Sequence, residues 1–269
     1  MRKDSTKKQI KKNISTLFDY FVKNVTHVLE NKRDQSIQVQ FDNLKHYLHK
    51  DVRLDLTDAE IIDLISQHFI TMPIIEMVFD EAKAYKDHPV SLSLKQITST
   101  FKRYGIGSVA RLQPFYDDIK ERCKSHTTYQ EKQVLLNDIF EDLFKNQLPY
   151  FTKKYGIAYT PPEVVNFIIQ STEDLCQKHF GKSLGDSGVN IMDPFTGTGT
   201  FITHLMDSGI ISDEQLKKKY ENGEIQCNEI TLIAWYIASL NIEYLFHEKT
   251  KTPNYIPFEG IHCVDTFTT

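Results

Sequence analysis

The chain has 269 residues and a mass of 31.3 kDa, enough for one large domain or two small ones with real hydrophobic cores. Its 40% hydrophobic and 25% charged residues exclude disordered, fibrous and collagen-like proteins, and the formal net charge of -4 argues against a nonspecific nucleic-acid coat. No apolar run approaches the roughly 20 residues that a membrane span needs, and the N-terminus lacks a signal-peptide pattern. We therefore predict a cytoplasmic protein without a membrane partner.

The four cysteines lie far apart in the sequence, with no CxxC pair and no histidine at metal spacing. We predict that they are reduced, partly buried residues and that the chain holds no metal site. They are Cys123, Cys176, Cys227 and Cys263.

The two halves of the chain differ in charge and pattern. Residues 1–150 carry a net charge of +2 and residues 151–269 a net charge of -6. Up to about Tyr150, apolar residues recur every three or four positions, which predicts a layer of about six helices. After Lys154, short apolar runs alternate with amphipathic stretches, which predicts β and α units around a parallel sheet. The predicted fold class is α followed by α/β.

Local signals refine the helical half. Thr57 with Glu60 is a candidate helix cap, and a long amphipathic helix is expected from Thr128 to a point before Pro149. We expect breaks at 31–38, at the Met72–Pro73 step and at 84–93, where Pro89 would end a helix.

The segment FKRYGIGSVARLQPFYDDIKERCK, residues 101–124, mixes basic and aromatic residues. It fits a basic, aromatic surface near DNA, and core aromatics beside a solvated face explain it as well.

In the second half, three apolar runs each end at an acidic residue. The runs 189–192, 225–228 and 261–264 are followed by Asp193, Glu229 and Asp265. Ligands of parallel α/β sheets bind beyond the carboxyl ends of the strands, so these acids are candidate ligand contacts. An isolated acid at a strand end is also common, and Asp265 fits a turn-forming residue.

The stretch DPFTGTGTF, residues 193–201, joins the first strand to a helix. Gly197 and Gly199 permit a close backbone approach by a ligand, although a bare GxG also fits an ordinary tight turn. A phosphate loop needs Gly-Lys-Ser/Thr and a dinucleotide fingerprint needs a third glycine, and both are missing. The acid at the strand end suits an ammonium group better than a pyrophosphate.

Upstream, Thr160, Pro161 and Glu163 predict a capping box at a helix start, whose amides and positive dipole end suit a carboxylate. Glu229 is placed to accept ribose hydroxyls, and Asp265 with Phe267 to contact an adenine. A ligand with an ammonium and a carboxylate, a ribose and an adenine satisfies all these groups. S-adenosylmethionine is such a ligand.

The order YTPPEVV, DPFTGTGTFI, NEITLIAWYIASLNIE and VDTF resembles the adenine-N6 DNA methyltransferases of the gamma arrangement. Together with SQHFITMPIIEMVF it is similar to the fused single-chain type ISP restriction-modification enzymes. The resemblance implies that 1–150 are a helical coupler and N-terminal helical part. It implies that 151–269 are the S-adenosylmethionine-binding first half of a Rossmann-like methyltransferase domain, with double-stranded DNA as the full-length enzyme's partner.

The resemblance also implies roles for site residues. Tyr159 and Thr160 would hold the methionine carboxylate, Asp193 the methionine amine and Glu229 the ribose. Ile230, Asp265 and Phe267 would contact the adenine. The remaining implied cofactor-binding residues are those of the glycine loop: Pro194, Phe195, Thr196, Gly197 and Gly199.

One family element is missing. An Asn-Pro-Pro-Tyr element follows the third strand in these enzymes, and this sequence stops at Thr269 without it. Nuclease, helicase and target-recognition regions are also absent from it, so we predict no catalytic residue and no methyl transfer by this chain alone. One alternative is a noncatalytic cofactor-sensing or coupling module between helicase and methyltransferase. A third hypothesis is a dinucleotide-dependent oxidoreductase, which the missing third glycine of the fingerprint and the TPPE helix start disfavour.

Overall fold

The computed structural model of the protein describes residues 2–31, 35–79, 86–126, 128–141, 143 and 160–268. The chain divides into two compact units, Met1–Glu81 with Pro89–Ile157, and Ala82–His88 with Ala158–Thr269. The functional boundary near residue 150 stays a prediction.

The first unit is helical, as predicted. Its described elements are α1 (Arg2–Glu30), α2 (Gln35–Asp51), α3 (Asp58–Phe79), α4 (Pro89–Arg103), a 3-10 turn (Ala110–Leu112), α5 (Gln113–Ser125) and α6 (Tyr129–Glu141). Helix α3 packs against α1, α4 and α5, and α2 packs against α4. The core holds the stacked rings of Phe21 and Phe69, with centroids 4.7 Å apart, and the ring of Phe101 beyond them.

Two predicted helix starts are confirmed by capping boxes. The Thr57 amide donates to Glu60 Oε2 at 2.9 Å, and the Glu60 amide donates to Thr57 Oγ1 at 3.3 Å. Thr128 and Glu131 exchange the same pair of bonds at 3.0 and 3.3 Å. Each box satisfies two backbone donors that a helix start leaves unpaired, which fixes where α3 and α6 begin.

Of the two proline-based breaks, the one at Met72–Pro73 was placed wrongly. Helix α3 continues through Pro73, because the residues on both sides, such as Ile70 and Ile74, are fully buried and their packing outweighs one lost backbone hydrogen bond. The helical residues 86–87 end at His88, directly before Pro89, as predicted, and Pro89 then opens α4, since the first helical position needs no N–H. Helix α1 ends at Glu30 and α2 begins at Gln35, so the predicted break at 31–38 is present but its last four residues are helical; residues 80–85 lie outside the described residues.

Helix α3 also corrects the expectation about apolar runs. The stretch Asp58–Val78 is long and apolar enough for a membrane span by length and composition, with a mean hydropathy of 1.4. However, 67% of that window is buried within the protein, as in a core helix. Helix α3 is therefore weak evidence for a membrane span.

The second unit contains the predicted parallel sheet. Strands β1 (Ile191–Asp193), β2 (Ile225–Asn228) and β3 (Ile261–His262) lie in the order β1-β2-β3, with all described pairings parallel. Helix α7 (Pro162–Phe180) precedes β1, α8 (Thr200–Asp207) and α9 (Asp213–Glu221) join β1 to β2, and α10 (Leu232–Thr250) joins β2 to β3. The third strand is shorter than predicted, so Asp265 lies beyond its end instead of terminating it.

Helix α10 is buried around most of its circumference. Its Trp235 Nε1 donates to the Ile261 carbonyl at 3.3 Å, which ties the helix to β3. The four cysteines are reduced thiols, with Cys227 and Cys263 buried and the other two half-buried, as predicted.

A buried carboxyl on α10 anchors the segment before β3. Glu243, 1% exposed, accepts hydrogen bonds from the Phe258 amide at 3.0 Å and from the Tyr255 hydroxyl at 3.1 Å. Burial raises its pKa from 4.5 to about 8, although these two hydrogen bonds oppose the shift.

This shift predicts a pH-dependent stability. A carboxyl with a raised folded-state pKa stabilises the protein below its unfolded pKa, and that contribution is lost as pH rises through about 8. We expect Glu243→Gln to remove a slope of at most about 1.4 kcal/mol per pH unit from the free energy of unfolding across that window. Urea unfolding at several pH values measures it, with the exposed Glu248→Gln on the same helix as control. An unchanged slope in Glu243→Gln would contradict the assignment.

Candidate functional site

The loop between β1 and α8 is held down on the sheet by its own amides. The Phe195 amide donates to Asp193 Oδ1 at 3.2 Å, the Thr196 amide to the Asn228 carbonyl at 3.0 Å, and the Gly197 amide to Glu229 Oε2 at 2.9 Å. Three successive amides are thus used within the protein. The loop therefore does not have the free amides of a phosphate cradle, which agrees with the missing lysine.

The two glycines of the loop serve different purposes. Both have positive φ angles, 58° at Gly197 and 90° at Gly199, which disfavour other residues. A Cβ on Gly199 would lie 3.4 Å from the Ala238 Cα of α10, whereas one on Gly197 would meet nothing within 4 Å. Gly199 thus serves the packing of the loop on α10, and Gly197 is the glycine of this pair with an open side for a ligand.

Asp193 ends β1 with one carboxylate oxygen unsatisfied. The residue is 9% exposed, and its Oδ2 has no hydrogen-bond partner among the described residues. Burial raises the pKa of this carboxyl, and the bond from the Phe195 amide opposes the shift. Because a buried polar atom without a partner is costly, a donor from a ligand would be stabilising at this position.

Glu229 lies beside it, one residue beyond β2. Its Oε1 accepts from the Thr231 amide at 2.7 Å and the Thr231 hydroxyl at 2.6 Å, and Oε2 accepts from Gly197. Burial raises the pKa of Glu229 and the charge of Asp193 raises it further, although the three hydrogen bonds oppose this. Within the described part of the chain, neither acid is in an ion pair. The described part of the site is therefore acidic, with no cation paired to either carboxyl.

The segment after β3 reaches the same edge. Thr266 Oγ1 donates to the Pro194 carbonyl at 2.6 Å and accepts from Asn228 Nδ2 at 3.2 Å. The rings of Phe195 and Phe267 lie 5.5 Å apart, with 62% and 84% of the residues exposed. All three strand ends thus meet, with two exposed aromatic rings beside the acids.

Asp265 itself forms a local turn. Its Oδ1 accepts from the Phe267 amide at 3.0 Å, and its carbonyl accepts from the Thr268 amide. This is the turn-forming behaviour weighed for Asp265 from the sequence. Half-buried Ile230 lies between β2 and α10.

The predicted capping box at α7 is wrong. The helix begins at Pro162, and its N-cap is Pro161, which makes no side-chain capping bond. The reason is that a residue before a proline disfavours the helical conformation; Pro161 accordingly has ψ 142°. Thr160 is half-buried before this start, and Tyr159 lies outside the described residues. Asn166 of α7 contacts His204 of α8 at 2.8 Å, which packs this helix against the one that follows the loop.

Sequence reasoning missed Asn241. This fully buried residue of α10 donates from Nδ2 to the Thr198 carbonyl at 2.8 Å, so it supports the glycine loop from behind. A single amide in the apolar stretch LIAWYIASLNIE was the available signal, because a polar residue inside a buried helix needs a partner.

We predict that Asn241→Leu lowers the free energy of unfolding by about 1–3 kcal/mol, because the Thr198 carbonyl would lose a buried hydrogen bond. The exposed Asn254→Leu is the matched control and should change stability little. Equal stability of the two variants in urea unfolding would show that Asn241 does not support the loop.

Comparison with known families decides which family this site belongs to. The N-6 DNA methylase model matches residues 131–267, and the coupler domain model of type ISP restriction-modification enzymes matches residues 8–131. The chain belongs to the N-6 DNA methylase family. The resemblance to type ISP enzymes drawn from the motifs is confirmed.

Three solved structures resemble the chain. The DrdV–DNA complex solved by cryoEM is 31% identical with a TM-score of 0.74, over 98% of this chain and 25% of that one. The ATP-dependent type ISP restriction-modification enzyme LlaBIII bound to DNA is 34% identical with a TM-score of 0.69, over 93% of this chain and 17% of that one.

The third is a nuclease-deletion mutant of the type ISP restriction-modification enzyme LlaGI in complex with a DNA substrate mimic. It is 33% identical with a TM-score of 0.69, over 96% of this chain and 21% of that one. The chain thus spans a quarter or less of each solved protein. The comparison with curated proteins gives no match.

Proposed function

We propose that residues 151–269 bind S-adenosylmethionine as the cofactor half of a Rossmann-like methyltransferase domain. The observation that supports this most is Asp193 Oδ2, a buried carboxylate oxygen without a partner among the described residues, at the carboxyl edge of a parallel sheet. A ligand ammonium group would supply the missing donor.

The other groups fit the same ligand. Two acids that are in no ion pair among the described residues attract a cation and repel a pyrophosphate, and the loop amides that would bind phosphate are already used. Asp193 would take the amine, Glu229 the ribose hydroxyls, and Thr160 with Tyr159 the carboxylate. Ile230, Asp265 and Phe267 would contact the adenine.

The bound cofactor would supply a methyl group already activated by a sulfonium. In the complete enzyme the acceptor would be N6 of an adenine flipped out of double-stranded DNA. The sequence contains no Asn-Pro-Pro-Tyr element to orient that amine, so we propose that this chain alone binds cofactor without transferring methyl. We further propose that residues 1–150 act as the coupler and that the protein is cytoplasmic. The noncatalytic, cofactor-sensing role stays a prediction.

Calorimetric titration tests the cofactor proposal. We expect one-to-one binding of S-adenosylmethionine to the purified chain and none of NAD. Asp193→Asn should weaken binding at least about tenfold, or about 1.4 kcal/mol, because the charge that faces the amine is lost. Asp174→Asn, exposed on α7, removes the same charge elsewhere and should leave the affinity unchanged.

Two results would contradict the proposal. One is equal affinity in wild type and Asp193→Asn; the other is no binding by a wild-type chain whose unfolding transition shows that it is folded.

A further inference from the structure

The end of α4 and the turn after it form a positively charged stretch. Between Asp87 and Asp117 the sequence holds no acidic residue and four basic ones, which are Lys95, Lys102, Arg103 and Arg111. This stretch overlaps the basic, aromatic segment 101–124, for which the sequence left a DNA surface and a packed core equally open.

The structure separates the two explanations within that segment. Phe101 and Tyr116 are buried, and the Tyr116 hydroxyl donates to the Ile70 carbonyl at 2.8 Å. These aromatic residues therefore belong to the core.

On α5 the basic residues lie among acids. Lys124 pairs with Glu121 at 2.9 Å, and Arg122 approaches Asp138 at 3.5 Å. This part of the segment is a mixed, solvated helix face, whose charges largely cancel.

The cations at the end of α4 and in the turn after it are not surrounded by acids in this way. Lys102, Arg103 and Arg111 are exposed, and Tyr104 is 52% exposed. Among the described residues of this unit, no carboxylate forms an ion pair with any of the three cations. Their field is therefore available to an anionic partner.

The main chain presents these side chains in a fixed arrangement. The Ile106 amide donates to the Phe101 carbonyl at 3.1 Å and the Gly105 amide to the Lys102 carbonyl at 3.0 Å, which is a Schellman motif with Gly105 at φ 75°. Ile106 is 6% exposed and anchors the turn in the core. A Cβ on Gly107 would lie 2.8 Å from Lys102 Cγ, so the returning chain packs against the lysine stem. A preordered turn loses little entropy on binding.

We propose that this basic turn, residues 102–111, binds the phosphate backbone of duplex DNA. The choice of DNA as the polyanion rests on the proposed function. Lysine and arginine neutralise phosphates, and the arginine fork does so in a bidentate manner. The contact positions the duplex without reading its sequence.

The test compares two triple variants of the full chain. Lys102→Gln/Arg103→Gln/Arg111→Gln removes the charges of the turn, and Lys120→Gln/Arg122→Gln/Lys124→Gln removes the same charge from α5. Fluorescence anisotropy with a short labelled duplex, measured over a series of salt concentrations, gives the slope of log K against log salt. Each lost phosphate contact lowers the magnitude of this slope by about 0.9. The magnitude of the slope should therefore be about 2–3 smaller in the turn variant than in the α5 variant.

Equal slopes in the two variants would overturn the inference, as would no DNA binding by the wild type at low salt. Lys102 and Arg103 also lie in the last turn of α4, where cations stabilise a helix, so urea unfolding of each variant is measured alongside. If the triple variant is unfolded, Arg111→Gln alone should lower the slope by about 1, and an unchanged slope would refute the contact. The same variants are also titrated with S-adenosylmethionine, so that failure of the cofactor proposal can be distinguished from failure of the DNA-binding proposal.

Discussion

The carboxylate of Glu229 accepts hydrogen bonds from the loop after β1, through Gly197, and from the N-cap residue of α10, Thr231. These bonds fix the loop on the sheet, together with the bond from the Thr196 amide to the Asn228 carbonyl. Glu229, one residue beyond β2, is thereby held beside Asp193 of β1. The Asp193 Oδ2 atom remains buried and without a described partner. A fold that keeps such an atom sacrifices stability, and a cationic ligand would offset that cost.

The two halves of the chain, 1–150 and 151–269, have net charges of opposite sign. The second half of the chain is acidic, and its candidate site holds two carboxyls that form no ion pair with any described residue, which suits a cationic ligand. The first half carries a small positive net charge, and three of its exposed cations, Lys102, Arg103 and Arg111, lie at the turn after α4, where no acid is close in sequence. A chain that holds both a site for a cationic cofactor and a surface for anionic DNA would require such a separation, because the two partners attract opposite charges.

The sequence predicted the parts of the fold that depend on local pattern. The parallel sheet followed from apolar runs that end in acids, and the start of α3 followed from Thr57, because both signals act within a few residues. Pro73 was placed wrongly because burial of the residues around it outweighs the local cost of a proline. The cap at Thr160 failed because two consecutive prolines move the helix start to Pro162. Asn241 was missed because its partner, the Thr198 carbonyl, is 43 positions away in the sequence.

The most direct measurement is a crystal structure of the chain grown with S-adenosylmethionine. We expect the cofactor's amine within hydrogen-bond distance of Asp193 Oδ2, its ribose at Glu229, and the glycine loop still bonded to Glu229 through Gly197. A cofactor bound elsewhere, or one whose carboxylate in place of its amine faces Asp193, would contradict it.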